Sequence, residues 1–205
     1  PAVKASRARP LPFRAVLGKI AGFGAILAMG SAGFGVIATF ITLFYQDKGW
    51  EGAAFALSLF SGAFVGARLL FPNAINRHGG LRVASVCLAV EAAGLFLVAA
   101  AGDPWMAKAG AFLTGAGFSL VFPALGVVAV KVVPQQNQGS ALATYTAFMD
   151  LSLGITGPLA GFIMNYAGVS RVYLLTALLV CVAFFCTLRL QRRQASAPVT
   201  GDSSG

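Results

Sequence analysis

Residues 83–101 read VASVCLAVEAAGLFLVAAA and contain one charged side chain, Glu91, among nineteen positions. A hydrocarbon core of about 30 Å requires about 20 helical residues to cross it. Helices and closed barrels satisfy backbone hydrogen bonds in lipid, and this stretch is continuously apolar rather than alternating. The stretch is therefore predicted to be a membrane-spanning helix.

Five other stretches of the chain have the same character, and together the six fill almost all of it. The predicted helices cover residues 17–44, 53–71, 83–101, 105–130, 141–166 and 172–188. The predicted fold is an all-α membrane protein, a six-transmembrane-helix bundle at residues 17–190. We expect residues 1–16 to be a cytoplasmic linker and residues 191–205 a cytoplasmic tail. Because the chain begins with Pro1 rather than Met, we expect it to be a piece of a longer protein.

The chain carries 15 Lys and Arg residues against 6 Asp and Glu residues, a formal charge of +9. Basic residues precede the first stretch, separate the second from the third, and follow the fourth and the sixth. All these positions fall on one face of the membrane if there are six crossings. The positive-inside rule then places both termini in the cytoplasm. The basic excess is therefore interpreted as a topology signal, and no nucleic-acid partner is expected.

Recognisable enzymatic motifs are missing from the sequence. The three cysteines all lie inside apolar stretches without a C-x-x-C pair, and the single histidine, His78, lies in a predicted loop. One histidine at that place supplies neither a Ser–His dyad at membrane depth nor a clustered metal site. Phosphate-binding and H-E-x-x-H motifs are also missing. We expect no enzymatic activity, no cofactor and no metal.

Two carboxylates lie within predicted membrane helices, Asp150 and Glu91. Asp150 is ten residues beyond Ser140, or roughly 15 Å along a helix, which places it near the midplane. A charge there costs about 2.5–3.5 kcal/mol on insertion scales, so a water-filled cavity, a partner or a proton must offset it. We predict that Asp150 loads and releases protons, and Glu91 is the second candidate for this role. The alternative is a neutral acid that is hydrogen-bonded to a neighbouring helix.

Polar and aromatic side chains surround the predicted position of Asp150. Thr146 lies four residues before it and shares its helix face. A lining of hydroxyls and aromatic rings suits a small polar or amphipathic solute. The predicted substrate cavity consists of Thr39, Phe40, Ser119, Phe122, Tyr145 and Thr146. Alternatively, the hydroxyls only bond to the carbonyl four residues earlier in their own helices.

Glycine pairs at four-residue spacing occur in three stretches, at Gly18/Gly22, Gly62/Gly66 and Gly157/Gly161. Such pairs allow close helix approach in lipid, so they predict packing within the bundle; the alternative is that they let helices rock during transport. Pro123 and Pro158 each remove a backbone donor and favour a kink.

The segment from Gly66 to Arg82 resembles the G-x-x-x-D-R-x-G-R-R motif of the major facilitator superfamily. Arg77 and Gly79 match, whereas Asn76 replaces the usual acid. A second segment, Gly154-x-x-Gly157-Pro158-x-x-Gly161, resembles the antiporter-type G-P-x-x-G signature of that family. The resemblance assigns a conformational role to Arg68, Asn76, Arg77, Gly79, Arg82, Gly154, Gly157, Pro158 and Gly161.

Nearly the whole chain resembles the carboxy-terminal half of an arabinose-exporter-like group within this superfamily, through residues 11–18, 31–45, 115–131 and 134–161. The resemblance implies a twelve-helix protein of the bacterial inner membrane, of which this chain holds helices seven to twelve. It implies a proton-linked exporter of a small molecule, with the lipid bilayer and a missing amino-terminal six-helix half as partners. The first, second, fourth and fifth helices of the chain would then line the cavity, with the third and sixth outside. The alternative is a self-contained six-helix channel or scaffold, although the short connections leave no room for a re-entrant selectivity loop.

Overall fold

The computed structural model describes residues 10–196, which form α-helices and one short 3₁₀ helix, Gln135–Asn137. The α-helices are α1 Phe13–Lys48, α2 Ala53–Leu70, α3 Ala74–His78, α4 Gly80–Ala99, α5 Pro104–Ser119, α6 Val121–Lys131, α7 Gln138–Ala167 and α8 Val169–Ser196. Six helical units are long and apolar enough to span a membrane, with α5 and α6 together forming one of them. The predicted all-α bundle of six spanning helices is confirmed.

The helices differ from the predicted boundaries mainly at the ends of the chain. The first begins at Phe13, inside the predicted linker, and the last continues to Ser196, inside the predicted tail. The loop after α2 contains the additional short helix α3. Residues 1–9 of the linker and 197–205 of the tail lie outside the described part of the chain.

The fourth predicted helix is not continuous but divides into α5 and α6 at Leu120. The cause is Pro123, which has no amide hydrogen to donate to the Ser119 carbonyl four residues earlier. In contrast, α7 continues through Pro158 as one helix. Of the two prolines, only Pro123 therefore coincides with a division of its helix.

Helix α1 packs mainly against α7 and α8, whereas α4 packs against α5 and α8. Helix α2 packs mainly against α5. Hydroxyl groups connect the helices by donating to backbone carbonyls of their neighbours. Ser152 donates to Ala28 at 2.6 Å, and Tyr173 donates to Val36 at 3.1 Å. Because lipid offers no competing water, such bonds add to van der Waals packing between helices.

Asn137 anchors the chain where it enters α1. Its side chain accepts a hydrogen bond from the Leu11 amide at 2.9 Å and donates to the Leu11 carbonyl at 3.1 Å. Both bonds connect the entry segment to the turn between α6 and α7. The position of α1 is thus linked to that turn as well as to its helix neighbours.

Two groups of glycines differ in what surrounds them. An added methyl group would overlap backbone of another helix at Gly80, Gly94, Gly110, Gly115 and Gly117. The three predicted packing pairs, Gly18/Gly22, Gly62/Gly66 and Gly157/Gly161, have nothing from residues 10–196 within 4 Å of such a group. The prediction that these pairs pack the bundle was wrong for contacts within this chain, because they lie on its open surface.

Candidate functional site

The helices α2 and α7 are the least covered by the rest of the chain. In their most apolar windows, 17% and 6% of residues are buried, compared with 39% or more in the other four spans. Both helices carry glycines that face open space, Gly62 and Gly66 on α2 and Gly154, Gly157 and Gly161 on α7. One face of the bundle is therefore apolar, small-residue-lined and free to contact another helical surface.

A cavity of about 320 Å³ lies between these two helices and the middle of the bundle. Four phenylalanine rings form most of its wall, and Arg68 contributes its charged side chain. Phe34 is central to this cluster, with ring centroids 5.3–5.8 Å from those of Phe64 and Phe118. The lining residues are Ser31, Phe34, Phe64, Arg68, Phe118, Phe122, Met149 and Leu153.

Arg68 is held in place by two contacts. Its guanidinium carbon lies 4.9 Å from the centroid of the Phe64 ring, and its Nε donates to the Ser119 carbonyl at 3.2 Å. That carbonyl is the one that Pro123 leaves without an intrahelical donor. Ser119 in turn donates its hydroxyl to the Phe64 carbonyl. Two hydrogen bonds therefore connect α2 to the end of α5, one donated by α2 and one donated by Ser119.

Among the predicted cavity residues, Phe122 lines this cavity, and the other five do not. The Ser119 and Tyr145 side chains are buried, and the Tyr145 hydroxyl donates to the Phe122 carbonyl at 2.7 Å. Phe40 is buried in the core, and Thr39 is exposed. The Thr146 hydroxyl bonds to the Leu142 carbonyl of its own helix at 2.8 Å.

Sequence reasoning missed most of the aromatic lining. The predictions favoured hydroxyl-bearing residues, whereas the wall is built from Phe64, Phe118 and Phe122 together with Phe34. A usable signal was the spacing of these rings, because residues four apart lie on one helix face. Phe60 and Phe64 have this spacing on α2, as do Phe118 and Phe122 across the division between α5 and α6.

Asp150 lies on α7 and its side chain is exposed. Asp150 does not line the cavity, although Met149 before it and Leu153 three residues later do. Thr146 lies one turn away on the same face. The position is open to whatever covers α7, and no hydrogen-bond partner within residues 10–196 holds the carboxylate.

Glu91 has the opposite environment. Its side chain is completely buried, and neither carboxylate oxygen has a hydrogen-bond partner within residues 10–196. The carboxylate lies against Gly33 of α1 and near Gly30, while Gly117 of α5 lies against the Glu91 backbone. Glu91 was ranked second because α4 was expected to lie outside the cavity, and α4 directs this side chain into the interior of the bundle.

Comparison with known proteins identifies the family. Residues 20–204 match the model of the Major Facilitator Superfamily. The chain belongs to the major facilitator superfamily.

The chain is 69% identical over 193 residues to an Escherichia coli K12 protein named as the uncharacterized MFS-type transporter YhhS. That alignment covers 94% of the chain and 48% of the relative. The chain is also 66% identical over all 205 of its residues to the YhhS protein of Salmonella typhimurium, and this alignment covers 51% of that relative. The chain therefore spans about half the length of the curated relatives that it matches.

The residues of the predicted superfamily motifs lie in two places. Asn76 and Arg77 are on the short helix α3, and Gly79 connects it to α4 with a positive φ of 83°, a conformation that L side chains rarely adopt. Arg82 lies in the first turn of α4. The second motif, Gly154 to Gly161 with Pro158, lies on the open face of α7. Within residues 10–196 no cluster of three or more potential metal ligands occurs.

Replacing Arg68 with Met is expected to destabilise the protein by about 1–3 kcal/mol, because the Ser119 carbonyl loses its donor. The same replacement should cost much less in a Pro123→Ala background, since alanine has the amide hydrogen that proline lacks. A double-mutant cycle of thermal unfolding in detergent measures this coupling. Equal costs in both backgrounds would show that Arg68 does not cap this carbonyl.

Proposed function

We propose that the full-length protein is a proton-coupled exporter of a small polar or amphipathic solute, working by alternating access in the bacterial inner membrane. The observation that carries this proposal is the open face of α2 and α7, which this half of a superfamily fold leaves uncovered. In such folds the substrate site lies near the midplane between two repeats. The cavity beside Arg68 and the nearby Asp150 would then face the second half.

The amino-terminal half is proposed to dock on the glycines of this face. With no side chain at Gly62, Gly66, Gly157 and Gly161, a partner helix can approach the backbone closely. Within residues 10–196 these glycines contact no neighbouring helix, so a contact with the other half would explain their spacing. The proposal also accounts for why a signature resembling that of antiporters lies on the surface.

Changing Gly157 to Leu in the full-length protein is therefore expected to reduce transport at least tenfold and to lower the thermal midpoint, because the added side chain separates the halves. Val182→Trp is the matched control, since it adds comparable bulk at an exposed position of α8. Both variants are compared by flux in proteoliposomes and by thermal unfolding. A Gly157→Leu protein with normal flux would contradict docking at this face.

Both termini are proposed to be cytoplasmic. Asp103 caps the start of α5 by accepting from the amides of Trp105 and Met106, and Gln136 follows α6 at the other end of the same span. Cysteines placed at these two positions should react with an impermeant maleimide from opposite sides. Labelling of Asp103→Cys from the cytoplasm would overturn this orientation.

The test of function is proton flux through the purified full-length protein in liposomes. A pH gradient of defined direction is imposed, and sugars, sugar acids and small amphipathic drugs are offered in turn. At least one solute should move against its gradient as protons move down theirs. Solute movement that only follows its own gradient and carries no protons would favour a channel. The 205-residue chain alone should carry no flux, because half of the site is missing.

A further inference from the structure

A groove of about 310 Å³ runs between α1 and α8 at the end of the bundle where α8 terminates. On each helix its lining residues are spaced by three, four and seven positions, so they form one continuous face. The two faces together make a furrow along the helix axes. The lining residues are Gly22, Ala25, Ile26 and Met29 on α1, and Cys186, Arg189, Leu190 and Arg193 on α8.

The walls of this groove are apolar except for two arginines at one end. Arg189 and Arg193 are four residues apart and therefore lie one above the other on α8. Neither guanidinium forms a hydrogen bond or an ion pair with any part of residues 10–196. The groove thus combines an apolar floor with two unpaired positive charges at the level where the membrane interface is expected.

The surroundings of the groove indicate that lipid borders it. It is formed by α1 and α8, whereas the open glycine-lined face belongs to α2 and α7. Val182 and Phe185, just before Cys186 on α8, are largely exposed apolar side chains. In a membrane protein such side chains contact acyl chains.

We infer that this groove binds one anionic phospholipid, with an acyl chain along the apolar floor and the phosphate diester on Arg189 and Arg193. Arginine forms strong bidentate hydrogen bonds with phosphate oxygens. Basic pockets between helices at the cytoplasmic end of a membrane protein bind anionic headgroups. A zwitterionic lipid brings its own cation next to these arginines, and an acidic headgroup does not.

The test uses the full-length protein in vesicles that contain a trace of a photoactivatable phosphatidylglycerol or phosphatidylcholine, with crosslinked peptides located by mass spectrometry. Crosslinks to residues 22–29 and 186–193 should be about thirtyfold more abundant with phosphatidylglycerol, because about 1 kcal/mol per arginine near the surface gives about 2 kcal/mol for the pair. Excess unlabelled phosphatidylglycerol should compete. Competition by inorganic phosphate alone would show an anion site without a lipid and would overturn the inference.

The variants test the two arginines directly. Replacing both Arg189 and Arg193 with Gln should reduce crosslinking to the phosphatidylcholine level, whereas Arg192→Gln, on the same turn but outside the groove, should leave it unchanged. Replacing both arginines with Lys keeps the charges and should keep most of the preference for phosphatidylglycerol. This variant tests the inference even if the double Gln variant fails to fold. The inference would be overturned by equal crosslinking of the two lipids, or by an equal loss of crosslinking in Arg192→Gln. It would also be overturned if no crosslink formed in the groove, which would mean that protein covers it.

Discussion

Asp150→Asn in the full-length protein is expected to abolish proton-driven transport while the protein stays folded and inserted. The side chain is exposed and has no hydrogen-bond partner within residues 10–196, so an amide of the same shape removes no contact there. Asp150 is twelve residues beyond the start of α7, or about 18 Å along the helix, which is the basis for expecting it near the membrane midplane. An amide cannot take up and release a proton as the cavity changes sides, so coupling is lost. Uptake driven by an imposed pH gradient in proteoliposomes measures the effect.

Glu91→Gln is the matched comparison for this experiment. Glu91 is sealed between α1, α4 and α5, and a proton could reach it only if these helices separated. We therefore expect Glu91→Gln to keep most of the wild-type pumping rate. Pumping by Asp150→Asn at the wild-type rate, with loss in Glu91→Gln, would place proton coupling at Glu91. Loss in neither variant would place it in the absent half.

Gly33→Ala is expected to cost about 1–3 kcal/mol of stability, the usual penalty for extra volume in a packed core. The new methyl group would overlap the Glu91 carboxylate and lie 2.9 Å from Cδ1 of Leu95. All three residues are enclosed by neighbouring helices, so little space exists for a shift. The thermal midpoint of the purified full-length protein should fall clearly.

A second substitution tests whether Glu91 causes this loss. Combining Gly33→Ala with Glu91→Ala removes the carboxylate that the new methyl group overlaps. The double variant should therefore lose less stability than the sum of the losses in the two single variants. Gly18→Ala provides the control, because nothing from residues 10–196 lies within 4 Å of its new methyl group and Gly18 is not on the proposed docking face. A Gly33→Ala protein as stable as Gly18→Ala would show that α1 and α4 are further apart than in this structure.

The sequence was sufficient to predict the spanning helices because each depends on one local property, a long apolar run. It also predicted a kink at Pro123 and at Pro158 alike, since a missing amide donor acts on its own helix. It did not reveal that helix four divides into α5 and α6, or that α1 and α8 extend beyond their apolar cores. Helix ends depend on caps and neighbours, and hydropathy does not record them.

The candidate site was harder to predict because depth along a helix does not determine direction around it. Asp150 and Glu91 have similar predicted depths, yet one is exposed and the other is enclosed. The same uncertainty applied to the glycines: Gly33 and Gly66 look alike in the sequence, and only Gly33 meets another helix. Such differences arise from packing between distant segments, which a single sequence without contacts cannot supply.

The two hydrogen bonds between Ser119 and α2 also have a mechanical consequence. A slide of α2 along its axis by one residue, about 1.5 Å, would break both the Arg68 and the Phe64 contacts of Ser119 at once. Helix α2 and the α5–α6 pair are therefore expected to shift together rather than to slide past each other. The cavity wall formed by Phe64 and Phe118 should then keep its shape when either helix moves.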